Sequence, residues 1–159
     1  AELDRIEEGD LATRITVRAP AGVDPTRLRF LKGDAMEPDP GLGRFDAVLL
    51  ANLVDRLPDP ERCLAQLPDL VRSGGQLVIA SPYTWLEEFA PRAKWLGGRM
   101  DSDRGQSGFE GLRRRLTLDF QLVKVLDLPF LIREHARKFQ WSVAQVTVWR
   151  RREEASANP

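Results

Sequence analysis

The densest group of polar side chains in this sequence lies in one short stretch near its carboxyl end. It consists of Arg133, His135, Arg137 and Gln140. A guanidinium binds a carboxylate through two parallel hydrogen bonds, so Arg133 or Arg137 is suited to anchor the carboxylate of a free amino acid. In an extended strand Arg133, His135 and Arg137 point to one side, and in a helix the two arginines still share a face. Spacing alone leaves a solvated basic loop equally open.

Large aromatic side chains and two acids form a second group. Tyr83 and Trp85 lie in an irregular stretch in the middle of the chain, and Trp141 lies near its end. Aromatic faces attract flat π-systems and cations, so these rings suit a flat or cationic ligand, although aromatic residues more often serve as core. Glu87 and Glu88 are adjacent and do not share a helix face, so one carboxylate is free to bind an ammonium group.

Three short apolar runs are expected to position these side chains. They cover residues 29–36, 45–52 and 75–82. Apolar runs separated by helical sequence predict parallel strands that are buried on both faces. Ligands bind outside the carboxyl ends of such strands. Asp34, Asn52 and Ser81 stand at these ends and mark the expected site.

Two stretches carry the signals of a helix start. Asp59 is followed by a proline and an acid and predicts a helix that Pro68 kinks and residues 73–75 end. Ser107 and Glu110 form a capping box, which predicts a second helix. A strand, a helix and a second strand in this order form a right-handed crossover unit, which is typical of α/β proteins.

The remaining segments carry weaker signals. Residues 1–9 have the pattern of a helix end with Gly9 as its stop, and residues 81–103 have the irregular, aromatic composition of a binding loop. Pro129 is expected to end the strand before it. Alternating or valine-rich patterns predict strands over 120–126 and 142–149, and a half-exposed strand or an extended connection over 11–17.

Composition narrows the class of protein and partner. The chain has 159 residues, enough for one domain, and 24 basic against 24 acidic residues. A net charge of zero gives no electrostatic reason to bind nucleic acid or an anionic membrane, so a small molecule is the expected partner. The single Cys63, with no secretory or bilayer-spanning run, favours the cytoplasm. His135 is the only histidine, which argues against a histidine-based metal site.

With these residues in place, the chain resembles a class I S-adenosylmethionine-dependent methyltransferase, an α/β fold with a Rossmann-like sheet whose last strand is antiparallel. The stretches 81–89, 95–98 and 129–141 resemble, more specifically, the methyltransferase of ovothiol biosynthesis. That family methylates a side-chain imidazole nitrogen of 5-thiohistidine. The resemblance implies three segments: a helix tail and connection over 1–27, the carboxyl-terminal part of a methyltransferase domain over 28–151, and a disordered tail over 152–159.

The resemblance also implies S-adenosylmethionine as cofactor and assigns its binding residues. The Asp34 carboxylate accepts a hydrogen bond from the adenine amino group, and the backbone of Ala35 and Met36 reads the ring nitrogens. Asn52 and Leu53 lie beside the methionine part, where an amide adds no charge near the sulfonium. Without the resemblance, Asp34 also fits an ordinary acidic loop and Asn52 a turn.

Substrate roles follow from the same resemblance. The imidazole nitrogen must lack a proton to accept a methyl group, and three side chains are candidates to orient it or take that proton. These candidate catalytic residues are Tyr83, Glu87 and His135. The candidate substrate-binding residues, which stack on the ring or hold its amino-acid end, are Trp85, Arg133, Arg137, Gln140 and Trp141.

Two parts of the family pattern are absent from the sequence. They are the glycine-rich turn after the first strand and the acid that ends the second strand. Because the family's strand order is 3-2-1-4-5-7-6, we expect the first two strands to be missing and an open sheet edge to remain. Open edges associate. We therefore expect a carboxyl-terminal portion that forms a homo-oligomer or associates through this edge, with a non-catalytic association module as the alternative function.

Overall fold

The structure, a computed structural model, describes residues 1–101 and 104–153. The chain divides into two compact units. The first unit contains Ala1–Lys32 and Pro129–Ser142, and the second contains Gly33–Leu128 and Val143–Pro159. The predicted disordered tail, apart from its first two residues, lies outside the described part of the chain.

A four-stranded mixed sheet forms the centre of the second unit. Its strands, in spatial order, are β3 (Phe45–Ala51), β4 (Val71–Ser81), β8 (Lys138–Arg151) and β7 (Phe120–His135). β3 runs parallel to β4, and β8 runs antiparallel to β4. The predicted α/β class with an antiparallel last strand is therefore confirmed. This order matches the last four positions of the order that the resemblance implies.

Two helices cover one face of this sheet. α1 (Pro60–Leu70) begins at the Asp59 cap and includes Pro68 near its end. α2 (Gly108–Leu116) begins at the Ser107 capping box. Both helix starts confirm the sequence predictions. The core joins side chains from the helices and the inner face of the sheet, namely Leu64, Leu67, Leu112, Leu116, Leu77, Ile79 and Trp149.

The run at residues 28–31 was expected to form a strand that enters the core. It does not form a strand, and it is not buried. Leu28 and Leu31 are exposed, and the Phe30 side chain is 91% exposed. A short 3-10 helix, Pro25–Arg27, precedes the run, and only an isolated bridge between Asp34 and Glu37 follows it. The strand prediction is wrong because an apolar run needs a neighbouring strand to complete its hydrogen bonds, and none lies beside this run in the described residues.

The amino-terminal segment forms a strand where a helix end was expected. β1 (Glu2–Glu8) pairs antiparallel with β2 (Leu11–Thr16). Gly9 has a φ of +52° and makes the hairpin turn, so it is not a helix stop. The helix prediction for residues 1–9 is wrong because a spacing of three residues between two apolar side chains does not exclude a strand once a partner strand is present. The predicted strand at 11–17 is confirmed.

The last two strands are longer than their sequence patterns predict. β7 continues through Pro129 to His135, and a two-residue turn leads into β8. Pro129 lies within β7, which is an edge strand of the sheet, and edge strands tolerate proline because one of their sides has no ladder. Residues 73–75 belong to β4 and not to a helix end, and the register of β4 with β3 shifts there.

A small ribbon occupies part of the stretch that was expected to be a loop. Its strands are β5 (Arg99–Asp101) and β6 (Arg104–Gln106), which pair antiparallel. The last residue of the predicted loop, Asp103, lies outside the described residues. Within the described part of the chain, no helix has the length and apolar character that a bilayer crossing requires.

Candidate functional site

Two strained residues stand at the carboxyl ends of the parallel strands. Asn52 follows β3 with a φ of +50°, and Tyr83 lies two residues beyond β4 with a φ of +53°. Residues other than glycine seldom adopt this left-handed conformation, and each instance costs about 1–3 kcal/mol. The Asn52 N–H donates to the Ala80 carbonyl at 2.8 Å, which ties the end of one strand to the other. We call the edge formed by the carboxyl ends of β3 and β4 the rim. An α/β sheet binds its ligand at this edge.

The Tyr83 side chain is held on several sides. Its backbone N–H donates to the Ser81 hydroxyl at 3.0 Å, and its own hydroxyl donates to Oε1 of Gln145 at 3.1 Å. A Cβ added to Gly108 would lie 2.4 Å from the Tyr83 ring, so the glycine at the start of α2 admits this ring. Burial, and then the nearby charge of Asp55, raise the pKa of the Tyr83 hydroxyl. At neutral pH this hydroxyl is therefore a hydrogen-bond donor and not a base.

Asp55 is a site residue that the sequence reasoning missed. Its side chain is 1% exposed, although it carries a carboxylate. Oδ1 accepts a hydrogen bond from the Ser81 hydroxyl at 2.9 Å, and Oδ2 accepts one from the Thr84 N–H at 3.0 Å. The available signal was an acid three residues after Asn52, next to the end of a predicted strand. Both oxygens of the buried Asp55 carboxylate accept hydrogen bonds from the segment at the end of β4. This carboxylate therefore fixes the position of that segment.

Trp85 lies inside the core and not on the rim surface. Its side chain is 8% exposed and belongs to the main hydrophobic cluster. Its ring stacks with Trp95 at a centroid distance of 6.5 Å. In the described residues its buried indole N–H has no hydrogen-bond acceptor, whereas the Trp95 N–H donates to the Ala90 carbonyl. The predicted contact of Trp85 with a substrate stays a prediction. Its present position is that of a core side chain.

The turn that contains the predicted adenine-binding residues lies against α1. Oδ1 of Asp34 accepts a hydrogen bond from the Met36 N–H at 2.8 Å. The side chains of Ala35 and Met36 are half-buried against the core. Burial, and then the Asp34 charge, raise the pKa of the Cys63 thiol on α1 to about 11, which agrees with a short separation between Asp34 and that helix. The Met36 N–H is thus already used within the turn.

Glu87, a predicted catalytic residue, and Leu53, a predicted cofactor-binding residue, have different surroundings. Glu87 is exposed, and no hydrogen bond or ion pair involves its carboxylate among the residues that the structure describes. Leu53 is half-buried and packs against the core. In the second unit the structure therefore brings Asn52, Leu53 and Tyr83 to one rim. No hydrogen bond in the described part of the chain joins Asp34 to that rim.

The remaining predicted residues lie in the first unit. Arg133 donates to the Ile6 carbonyl at 3.1 Å and forms an ion pair with Glu7 at 2.6 Å. His135 accepts a hydrogen bond at Nδ1 from the backbone N–H of Arg137, which lies in the turn between β7 and β8. Arg133 and His135 share one strand, but Arg137 does not continue its alternation as the sequence had suggested.

Two further candidates follow the turn in the first unit. Gln140 and Trp141 are exposed on β8. Neither side chain has a hydrogen-bond partner among the described residues. They are therefore available to a ligand, whereas the Arg133 guanidinium is engaged with the β1 strand. The roles assigned to all these residues stay predictions.

Comparison with known proteins places this geometry in context. A family model described as a methyltransferase domain matches residues 9–79, which include β2, β3, α1 and most of β4. This match supports the expectation of a class I methyltransferase domain. The match ends before the first of the stretches that resemble the ovothiol methyltransferases, so the ovothiol assignment stays a prediction.

The fold of this chain is similar to that of solved structures. One, from work on the conversion of a disulfide bond into a thioacetal group during echinomycin biosynthesis, aligns with a TM-score of 0.51 at 18% identity over 79% of this chain. A SAM-dependent methyltransferase from Methanosarcina mazei aligns with a TM-score of 0.49 at 16% identity over 77% of this chain. The chain spans 56% and 66% of their respective lengths. A search of the curated proteins gave no match.

Proposed function

We propose that this chain serves methyl transfer from S-adenosylmethionine to a small molecule. The proposed substrate is the imidazole of 5-thiohistidine, because the sequence resembles that of the methyltransferase of ovothiol biosynthesis. The observation that carries the proposal is the pair of strained residues, Asn52 and Tyr83, at the carboxyl ends of adjacent parallel strands. Backbone strain of this kind persists at ligand sites because the surrounding structure fixes it. The methyltransferase-domain match over 9–79 supports the same class of reaction.

The donor set of the second unit is compatible with this cofactor. With Oδ1 of Asp34 bonded to the Met36 N–H, the other Asp34 oxygen and the Ala35 N–H have no partner in the described residues. One acceptor and one donor are what an adenine edge requires. Asn52 and Leu53 would hold the methionine part, and Asn52 adds no charge there. When bound, the cofactor supplies a methyl group on a sulfonium, which is already an excellent leaving group.

The protein then has to align the acceptor nitrogen and keep it unprotonated. Alignment of reacting groups is worth about 7–11 kcal/mol. The Tyr83 ring is suited to stack on the acceptor imidazole and so orient it, because the Tyr83 hydroxyl already donates its hydrogen to Gln145. Glu87 is the exposed carboxylate of the same loop and is suited to take a proton. In the first unit Arg133 already binds Glu7, and the substrate roles of Arg137 and Gln140 remain predictions from the sequence.

Calorimetric titration of the chain with S-adenosylmethionine and S-adenosylhomocysteine tests the proposal. We expect heat with both ligands, and methylation of 5-thiohistidine in a radiolabel assay. Replacing Asp34→Asn should weaken cofactor binding about 10-fold, because one charge-assisted hydrogen bond is lost. Asp39→Asn is the matched control, since Asp39 caps a neighbouring turn in the same way. Binding without methylation of 5-thiohistidine would retain the cofactor and reject this substrate.

The association module is the second candidate, and one observation favours it. The outer face of β3 exposes Phe45 and Leu49, the latter by 64%. The titration separates the two candidates. Absence of heat with either cofactor form, together with association that increases with chain concentration, would replace the enzyme by the association module.

A further inference from the structure

Two adjacent residues join the loops that follow β3 and β4. Asp55 binds the Ser81 hydroxyl and the Thr84 N–H, as described above. Arg56 donates from Nη1 to the Thr84 carbonyl at 2.8 Å, and its guanidinium lies 4.7 Å from the centre of the Phe89 ring. Thr84 is therefore held through both its N–H and its C=O. We refer to Asp55 and Arg56 together as the rim clamp.

The rim clamp acts on the strained turn at Tyr83. Ser81, two residues before Tyr83, and Thr84, the residue after it, are both bonded to Asp55, through the Ser81 hydroxyl and the Thr84 N–H. The Ser81 hydroxyl also accepts the Tyr83 N–H. A left-handed tyrosine returns to an ordinary conformation unless its neighbours are fixed. The clamp supplies that fixation from the loop that also carries Asn52.

An ordinary loop does not require a fully buried carboxylate. Burial of a charge is unfavourable unless donors surround it, and removal of one partner leaves the rest unsatisfied. Asp55 has two close hydrogen-bond donors, and the Arg56 guanidinium lies 3.6 Å from Oδ2. Such a network favours one rigid arrangement over several similar ones. Rigid alignment is what methyl transfer needs from the protein.

We propose that Asp55 and Arg56 are positioning residues for methyl transfer. They fix the turn at Tyr83, on the acceptor side, relative to Asn52, on the cofactor side, without contacting the reacting atoms. The proposal rests on the proposed function and deepens it. It predicts that loss of the clamp lowers turnover while cofactor affinity is retained.

The variants Asp55→Asn and Arg56→Ala test the clamp. We expect turnover at saturating substrate to fall about 10- to 100-fold, the range for a misplacement near 1 Å, with the cofactor Kd within about twofold of wild type. Hydrogen exchange at the Tyr83 and Thr84 amides should become faster. Arg56→Lys keeps a donor for the Thr84 carbonyl and should restore part of the turnover. Asp46→Asn is the matched control, because it breaks an exposed ion pair with Arg72 near the start of β3.

The outcomes distinguish this inference from the proposed function. The wild-type chain alone decides the function: if it neither binds cofactor nor methylates, both proposals are overturned. If the wild type is active and both variants keep turnover within about twofold, only the clamp is rejected. A parallel loss of cofactor binding and turnover would assign Asp55 to general stability and also reject the clamp. If Asp55→Asn does not fold, Arg56→Ala against Arg56→Lys decides by the same criteria.

Discussion

Glu7 shows how two ion pairs lower the pKa of one residue in the first unit. The Arg5 guanidinium at 2.8 Å and the Arg133 guanidinium at 2.6 Å both bind its carboxylate. The Arg5 hydrogen bond is the larger cause, and together they hold the pKa of Glu7 below its ordinary value of 4.5. A lowered pKa means that the folded state prefers the ionised form.

The pH dependence follows from that sign. The stabilisation from Glu7 is present above pH 4.5 and is lost as pH falls through the lowered pKa of the folded state. We expect a carbon-detected NMR titration of Arg5→Gln to show the Glu7 pKa moving up toward 4.5. Arg14→Gln is the control, because Arg14 binds Asp4 in the same hairpin and not Glu7. An unchanged pKa of Glu7 in Arg5→Gln would contradict the assignment.

Burial shifts the pKa of Tyr83 in the direction opposite to that of Glu7. Its pKa is raised, so its hydroxyl stays protonated at neutral pH. The sequence offered Tyr83, Glu87 and His135 as candidates to orient the imidazole or to accept its proton. The surroundings of Tyr83 disfavour the role of acceptor. Because its hydroxyl donates to Gln145, the aromatic ring is what Tyr83 can offer to orient a substrate.

At the scale of elements, α2 depends on two glycines that allow close approach. Gly108 admits the Tyr83 ring, and Gly111 packs on the backbone of the preceding loop. A Cβ at Gly111 would lie 2.0 Å from the carbonyl oxygen of Leu96. Helix propensity alone would favour alanine at this position, so the glycine is explained by packing and not by helix formation.

The variant Gly111→Ala tests this packing. We expect the free energy of unfolding to fall by about 1–3 kcal/mol in urea denaturation, because backbone must move to admit the methyl group. Gly33→Ala is the control: no heavy atom lies within 4 Å of the added Cβ, and stability should change by less than about 0.5 kcal/mol. Equal stability of the two variants would show that α2 is not held against Leu96 as described.

At the scale of the whole molecule, the core belongs to the second unit. Every buried apolar side chain in the described residues lies between Leu50 and Trp149, outside the first unit. The first unit, all of whose residues are described, consists of strand pairs with exposed apolar side chains such as Leu11 and Trp141. Two-stranded hairpins are marginally stable by themselves. Global stability should therefore follow substitutions in the second unit.

Neighbouring residues of β3 provide the test. Leu50 is 7% exposed and faces the helices, whereas Leu49 is 64% exposed on the outer face. We expect Leu50→Ala to cost about 2–5 kcal/mol in thermal or urea unfolding and Leu49→Thr less than about 0.5 kcal/mol. If the exposed face serves association, Leu49→Thr should also shift a sedimentation profile toward the monomer. A large loss of stability in Leu49→Thr would mean that this face is covered.

Local patterns determined much of the second unit. The caps at Asp59 and Ser107 predicted both helix starts because capping is satisfied within a few residues. The apolar runs predicted β3 and β4, and the position of an asparagine at the end of β3 predicted a candidate site residue. These features depend on groups that are close in sequence, so no distant partner was needed to find them.

Tertiary structure decided the rest. Two apolar runs have different structures: residues 45–51 form a strand and residues 28–31 an exposed coil. Only the first run has a neighbouring strand that completes its backbone hydrogen bonds. Asp55 is an ordinary acid in the sequence, and its role exists only where Ser81 and Thr84 surround it. The sequence by itself determined the element types of most of the second unit and the polar residue types at the carboxyl ends of β3 and β4. Burial and hydrogen-bond partners brought together from distant segments determined which side chains hold it.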